Sequence, residues 1–318
     1  MSKNVAIAGA GGLGRHVVNA LLESKEFNVT VLSRSPKPDL EAKGANVKVV
    51  DYRYPSQLIA ALEGIDTLLS FIVDFDDSKE GSSLGALAHR NLLTAAVSPR
   101  VNLRRFVPAE YANNVAGFPR SALSCERDKP HFRNYVRAFC PARGIEYTLI
   151  SNGVLMDFFR PRGDKSGFPD LEAEIIPLDA DKKTALIPGN GKKDKISFTA
   201  ARDVARCLVA LLKVPAGGWE EYSYISGDRL TWDEAADQLE AALGAKLART
   251  HVGLEELRAR AEQARKGGNF MDIMIAELNE VFGDGSEVLP ENNKYFDGIK
   301  FQKLADVFQE CYGKGARK

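Results

Sequence analysis

Short apolar runs alternate with amphipathic stretches through the first half of the chain. Val5-Ala6-Ile7-Ala8 is a compact apolar run, and behind it Val17, Val18, Leu21 and Leu22 recur at the spacing of one helical face. The same order repeats, with predicted strands at Asn28–Leu32, Val47–Val50, Thr67–Phe71, Arg105–Val107 and Tyr147–Ile150. Helical patterns fall between them at Pro55–Leu62, Leu84–Val97 and Lys129–Cys140. Strands alternating with helices predict an α/β architecture, a doubly wound parallel sheet with helices on both faces.

Past Asn152 the pattern changes. Arg160–Asp170 is dense in Pro, Gly and charge and reads as a surface loop at a boundary. Short strands are predicted at Ala185–Ile187 and Ile196–Phe198, and a helix at Ala200–Leu212. Thr231 followed three residues later by Glu234 has the form of a helix start. Leu254–Arg265 is a highly charged helix expected to face solvent. In Asn269–Phe282, Phe270, Ile273, Met274, Leu278 and Val281 form one apolar face, either core or the wall of a pocket. The expected organisation is a first lobe of residues 1–152 and a smaller C-terminal α+β substrate lobe of residues 153–318. Residues 199–215 are expected to return and pack on the first lobe.

The turn after the first strand changes the picture most. Gly9, Gly11 and Gly14 stand in the order Gly-x-Gly-x-x-Gly, with Gly12 and Leu13 between them, after a strand and before a helix. A Rossmann-type dinucleotide site needs that order: a tight turn, a backbone that approaches a pyrophosphate, and a helix lying close on its strand. The second strand then ends in Ser33-Arg34-Ser35, with no carboxylate to accept from an adenosine ribose. A guanidinium there suits a 2′-phosphate, so NADP(H) is the expected cofactor, with Lys43 as a second cation. A solvated loop arginine is the alternative for Arg34. Asp51 is placed to accept from the adenine amino group, although a strand-end cap explains it nearly as well. Phe71 and Ile72 are expected to border the nicotinamide.

With 43 basic and 43 acidic residues the chain carries no net charge, which argues against a nucleic-acid binder. Cys125, Cys140, Cys207 and Cys311 lie far apart, so they read as reduced thiols with no metal site. The first strand begins at once and no apolar run is long enough to cross a membrane, so a cytoplasmic protein is expected. The basic tail of Lys314, Arg317 and Lys318 reads as a solvated end.

No tyrosine has a lysine four residues later, so the Tyr-x-x-x-Lys pair of common short-chain reductases is absent. The chain instead resembles the NmrA-like and isoflavone reductase-like branch of atypical short-chain dehydrogenases/reductases. Gly9–Gly14, Leu32-Ser33-Arg34 and Arg105-Phe106-Val107-Pro108-Ala109-Glu110-Tyr111 carry the resemblance. Gly144-Ile145-Glu146-Tyr147-Thr148, Asn152-Gly153 and Tyr224-Ile225-Ser226-Gly227-Asp228 extend it. The resemblance implies an NADPH-dependent reductase of a small conjugated or aromatic substrate, with Pro108 and Asn152 near the cofactor and Lys129 as the catalytic group. Lys129 precedes Pro130 and sits about one helical turn further from Gly144 than the family spacing, and Ala109 and Tyr111 depart from the family's Ser and Phe. A solvated lysine at a helix start is the alternative, and His131 is the neighbouring candidate proton donor. His16, His89 and His251 carry no such case. The family also admits redox sensors that bind NADP(H) and a protein partner, and lyases or epimerases on the same scaffold.

Overall fold

The computed structural model describes residues 3–73, 84–119, 123–124, 128–161, 164, 175–191 and 195–313. Six parallel strands form the central sheet: β1 (Asn4–Ala8), β2 (Asn28–Ser33), β3 (Asn46–Val49), β4 (Thr67–Ser70), β5 (Arg105–Val107) and β6 (Glu146–Tyr147). Their spatial order is β3-β2-β1-β4-β5-β6, so successive strands step outward on one side of β1 and then on the other. The reversal between β1 and β4 leaves a crevice at their C-terminal ends, where open α/β sheets bind ligands. Expected and observed strand ends differ by a residue or so.

Alternation along the strands sends side chains to two apolar layers. Val5 and Ile7 join Val31, Leu69 and Val107 beneath helix α1 (Gly12–Ser24). Ala6 and Ala8 join Leu68 and Phe106 on the opposite face. After α2 (Pro38–Glu41), that second face is covered by α3 (Pro55–Leu62), α4 (Leu84–Ala96) and α5 (Lys129–Phe139).

The strand expected at Tyr147–Ile150 is two short strands with different partners. β6 pairs with β5, while β7 (Leu149–Ser151) pairs in parallel with Tyr222–Tyr224. The chain then forms β8 (Val154–Leu155), β9 (Leu178–Asp179), β10 (Thr184–Pro188), β11 (Ile196–Thr199), α6 (Ala201–Lys213) and β12 (Tyr222–Tyr224). There follow β13 (Asp228–Leu230), α7 (Trp232–Leu243), β14 (Ala248–Val252), α8 (Leu254–Gly267), α9 (Phe270–Gly283) and α10 (Leu304–Tyr312). Helix α6 lies along α1, its Val204, Leu208 and Leu211 sharing one core with Val17 and Leu21.

Two small sheets, β14-β10-β9 and β13-β11-β8, build the rest around an aromatic core. Trp232 stands edge-on to Phe198 at 5.4 Å, and its indole N–H donates to the Phe282 carbonyl at 3.1 Å. The capping box at the start of α7 is formed: Thr231 Oγ1 accepts from the Glu234 amide, and the Glu234 carboxylate accepts from the Thr231 amide. Only Leu257 and Ala261 of α8 are buried, as its charge predicts. Cys140 and Cys207 are free and buried, and burial pushes the Cys140 thiol up to about 12. No helix among the described residues is long and apolar enough to cross a membrane. Cys125, most of the Arg160–Asp170 loop and the tail residues Lys314, Arg317 and Lys318 lie outside the described residues.

Candidate active site

Three glycines shape the end of β1. Gly9 has φ +91°, and a Cβ there would lie 3.0 Å from the Phe71 carbonyl at the end of β4. A Cβ on Gly14 would stand 2.2 Å from the Gly9 carbonyl oxygen, so α1 presses onto its own strand with no room for a methyl group. Gly11 caps the helix with extended backbone and brings no capping side chain to the first-turn amides, and a Cβ there would meet nothing within 4 Å. Gly12 opens the helix with φ +27°, and half-buried Leu13 packs toward the α1–α6 core. Unsatisfied amides beside an open backbone are what an anionic group needs at a helix start. The residues present fit a dinucleotide phosphate.

Arg34 follows β2 and is exposed, with no carboxylate paired to it among the described residues. Tyr52 lies near it, donating its hydroxyl to the Leu32 carbonyl at 2.8 Å, and burial raises its pKa. Lys43, the second cation expected beside Arg34, donates its ammonium to Asn19 Oδ1 at 2.9 Å. Asp51 is taken up locally: its carboxylate accepts from the Arg53 amide at 2.9 Å and from the Arg53 guanidinium. Arg53 thereby holds the Asp51 carboxyl below its ordinary pKa. These contacts are those of a strand-end cap.

Across the crevice, Phe71 stacks on Tyr111 with centroids 4.6 Å apart and planes 19° from parallel. Tyr111 has φ +45°, a left-handed conformation costly for a bulky residue. The Ile72 amide donates to Ser70 Oγ at 3.4 Å, and Ser70 Oγ lies 2.8 Å from His89 Nε2. His89 Nδ1 lies 2.8 Å from the Gly85 carbonyl. A carbonyl only accepts, so Nδ1 carries the proton and Nε2 accepts from Ser70. Burial, helped by the nearby Lys129 charge, lowers the His89 pKa to about 4. Nothing in the spacing of His89 signals this placement.

Pro108 is buried just beyond β5, and its carbonyl accepts from the Glu110 amide at 2.9 Å. Lys129, at the start of α5, donates its ammonium to the Glu110 carbonyl at 3.3 Å. One turn later Arg133 forks onto the Glu110 carboxylate, with Nε and Nη2 at 3.1 and 2.9 Å. His131 is exposed, and two residues along a helix place it on the side turned away from Lys129. Asn152 is fully buried; its amide donates to the Gly153 carbonyl at 2.9 Å, and its Oδ1 has no partner among the described residues. The fold thus gathers Gly9, Gly11, Gly12, Gly14, Phe71, Ile72, Pro108 and Lys129 at the strand ends. His131 is turned to the other side of α5 from Lys129.

From the other side, Phe270, Met274, Leu278 and Val281 of α9 pack with Leu123, Phe158 and Ile175 in a separate apolar cluster; Ile273 is not part of it. Glu277 sits within this helix and is buried. It accepts from the Ser124 amide at 2.7 Å, from the Ser124 hydroxyl and from Arg265 at 2.7 Å. The sequence shows it only as one more helical carboxylate. Among the described residues no group of three or more His, Cys, Asp or Glu is placed to hold a metal.

Two fungal proteins resemble the chain along nearly all their length. The oxidoreductase swnR of Metarhizium robertsii is 31% identical over 313 residues, covering 95% of each chain. The oxidoreductase swnR of Arthroderma benhamiae is 32% identical over 316 residues, again covering 95% of each. Among solved structures, the leucoanthocyanidin reductase–NADPH complex of Vitis vinifera superposes with a TM-score of 0.70 at 18% identity, covering 97% of this chain and 99% of that one. The NmrA-like family pattern matches residues 1–294. This chain belongs to the NmrA-like family.

Proposed function

We propose that this chain is an NADPH-dependent reductase of a small conjugated or aromatic molecule. One contact carries the reading: the Lys129 ammonium rests on the Glu110 carbonyl at the end of β5, across the sheet from the glycine turn. That both swnR relatives are named oxidoreductases, and that the leucoanthocyanidin reductase was solved with NADPH, supports it. When bound, the nicotinamide cofactor supplies the hydride. The first-turn amides of α1 would bind its pyrophosphate, and Arg34 its 2′-phosphate. The Phe71–Tyr111 stack would exclude water, and the α9 cluster would present an apolar wall to the substrate. Lys129 would give or take the compensating proton at Nζ.

Calorimetric titration with NADPH, NADP⁺, NADH and NAD⁺, followed by a screen of conjugated substrates for NADPH consumption, tests this reading. NADPH should bind best, and Arg34→Ala should lose roughly ten- to a hundredfold of the preference over NADH. Binding that favours the oxidised forms without distinguishing NADP⁺ from NAD⁺ would turn the reading to a redox sensor with a protein partner. Substrate conversion without net NADPH consumption would turn it to a lyase or epimerase.

A further inference from the structure

Tyr52, in the connection between β3 and α3, places its hydroxyl where the glycine turn, the end of β2 and Arg34 meet. The hydroxyl donates to the Leu32 carbonyl at 2.8 Å, and the same carbonyl accepts from the Gly9 amide at 3.3 Å. The hydroxyl bond has its preferred length, whereas the amide bond is at the long end of the range. Burial raises the Tyr52 pKa, while the Arg34 charge and the Gly9 amide draw it back, so both act on the same oxygen. Leu32 pairs with Ala8, the last residue of β1, and Arg34 follows two residues later. Past Leu32, β2 is held from its other edge, where Ser33 pairs with Val49 and accepts from the Val50 amide at 2.9 Å. Tyr52 is itself pinned. Its ring packs on the apolar layer under α3 and α4, and its carbonyl accepts from Asn91 Nδ2 of α4 at 2.8 Å.

We propose that Tyr52 is a positioning residue for the cofactor: its hydroxyl fixes the separation between the glycine turn and Arg34. A molecule that carries both a pyrophosphate and a 2′-phosphate then meets both anion sites at once. The proposal rests on NADP(H) as the cofactor. Anion sites held at the spacing of their ligand act as linked sites, and the second contact costs little further ordering. A phenylalanine would fill the same space and leave the Leu32 carbonyl to the longer bond from Gly9.

The test is calorimetric titration of the wild type and Tyr52→Phe with NADP⁺, NAD⁺ and adenosine 2′-monophosphate at one salt concentration. NADP⁺ carries both anionic groups, and each of the other probes carries one. Tyr52→Phe should bind NADP⁺ about three- to tenfold more weakly. Each single-site probe should shift by less than about twofold. Equal weakening of NADP⁺ and NAD⁺ would make Tyr52 a support of the turn alone, and equal weakening of NADP⁺ and adenosine 2′-monophosphate a support of Arg34 alone. Either result overturns the proposal, as does unchanged NADP⁺ binding. Asn91→Ala, which frees the Tyr52 main chain and keeps the hydroxyl, should repeat the pattern and serves if Tyr52→Phe misfolds. Hydrogen exchange at the Gly9 amide, followed by NMR without cofactor, should be faster in Tyr52→Phe, and an unchanged rate also overturns the proposal. A wild type that binds NADP⁺ and NAD⁺ alike would overturn the NADP(H) reading itself, and the spacing with it.

Discussion

Ser70 donates its hydroxyl to Nε2 of His89 across 2.8 Å, tying the end of β4 to the helix that follows it. The histidine is neutral because it is buried, and its other nitrogen is already spent on the Gly85 carbonyl. Since the folded pKa lies near 4, below the ordinary 6.5, its contribution to stability is complete above 6.5 and is lost as pH falls through 4. Urea unfolding of His89→Gln between pH 7 and 4 should show a flatter acid loss than the wild type, by on the order of 2 kcal/mol. Parallel curves for the two proteins would mean that His89 is not held neutral.

At the opposite pH limb the relevant group is Glu287. Its carboxyl is buried, one oxygen has no partner among the described residues, and burial with the nearby Asp284 charge pushes its pKa up to about 8. A carboxyl raised in the folded state stabilises below its unfolded value of 4.5, and that stability disappears as pH rises through about 8. Glu287→Gln should therefore gain on the wild type by a few kcal/mol, of order 2–4, between pH 5 and 9. Chemical denaturation at the two pH values reads the difference directly. The wild type should be most stable between these limbs.

Lys129→Ala should keep NADPH affinity, measured calorimetrically, and lose roughly 10²–10⁴-fold in turnover. Full turnover in this variant would remove Lys129 from the chemistry and leave its contact with Glu110 a structural one.

The central sheet and the glycine turn were readable from the chain because both depend on local information. Strand and helix periods repeat within a dozen residues, and Gly14 reports a clash with a carbonyl only five residues away. Arg133 and Glu277 were not readable. A charged residue on a helix ordinarily faces water, and only the fold reveals that their partners Glu110 and Ser124 lie 23 and 153 residues away in sequence. His89 was hidden for the same reason, since its partner Ser70 comes from another element. Strands β12, β13 and β14 are short, and their partners are distant, so no local pattern announces them.

The change of partner between β6 and β7 bears on how the protein is made. Leu149–Ser151 pairs with Tyr222–Tyr224, and the layer under α1 is closed by Val204, Leu208 and Leu211 of α6. A nascent chain that has emerged only as far as residue 152 therefore carries an uncovered apolar face on α1 and an unpaired strand edge. Some seventy further residues must leave the ribosome before either is covered, roughly four to fifteen seconds at ordinary rates of synthesis. During that interval the glycine turn has all its own residues, yet the helix behind it has no neighbour to pack against. Dinucleotide binding should thus appear late in synthesis, with the arrival of Tyr224, rather than with the motif that announces it.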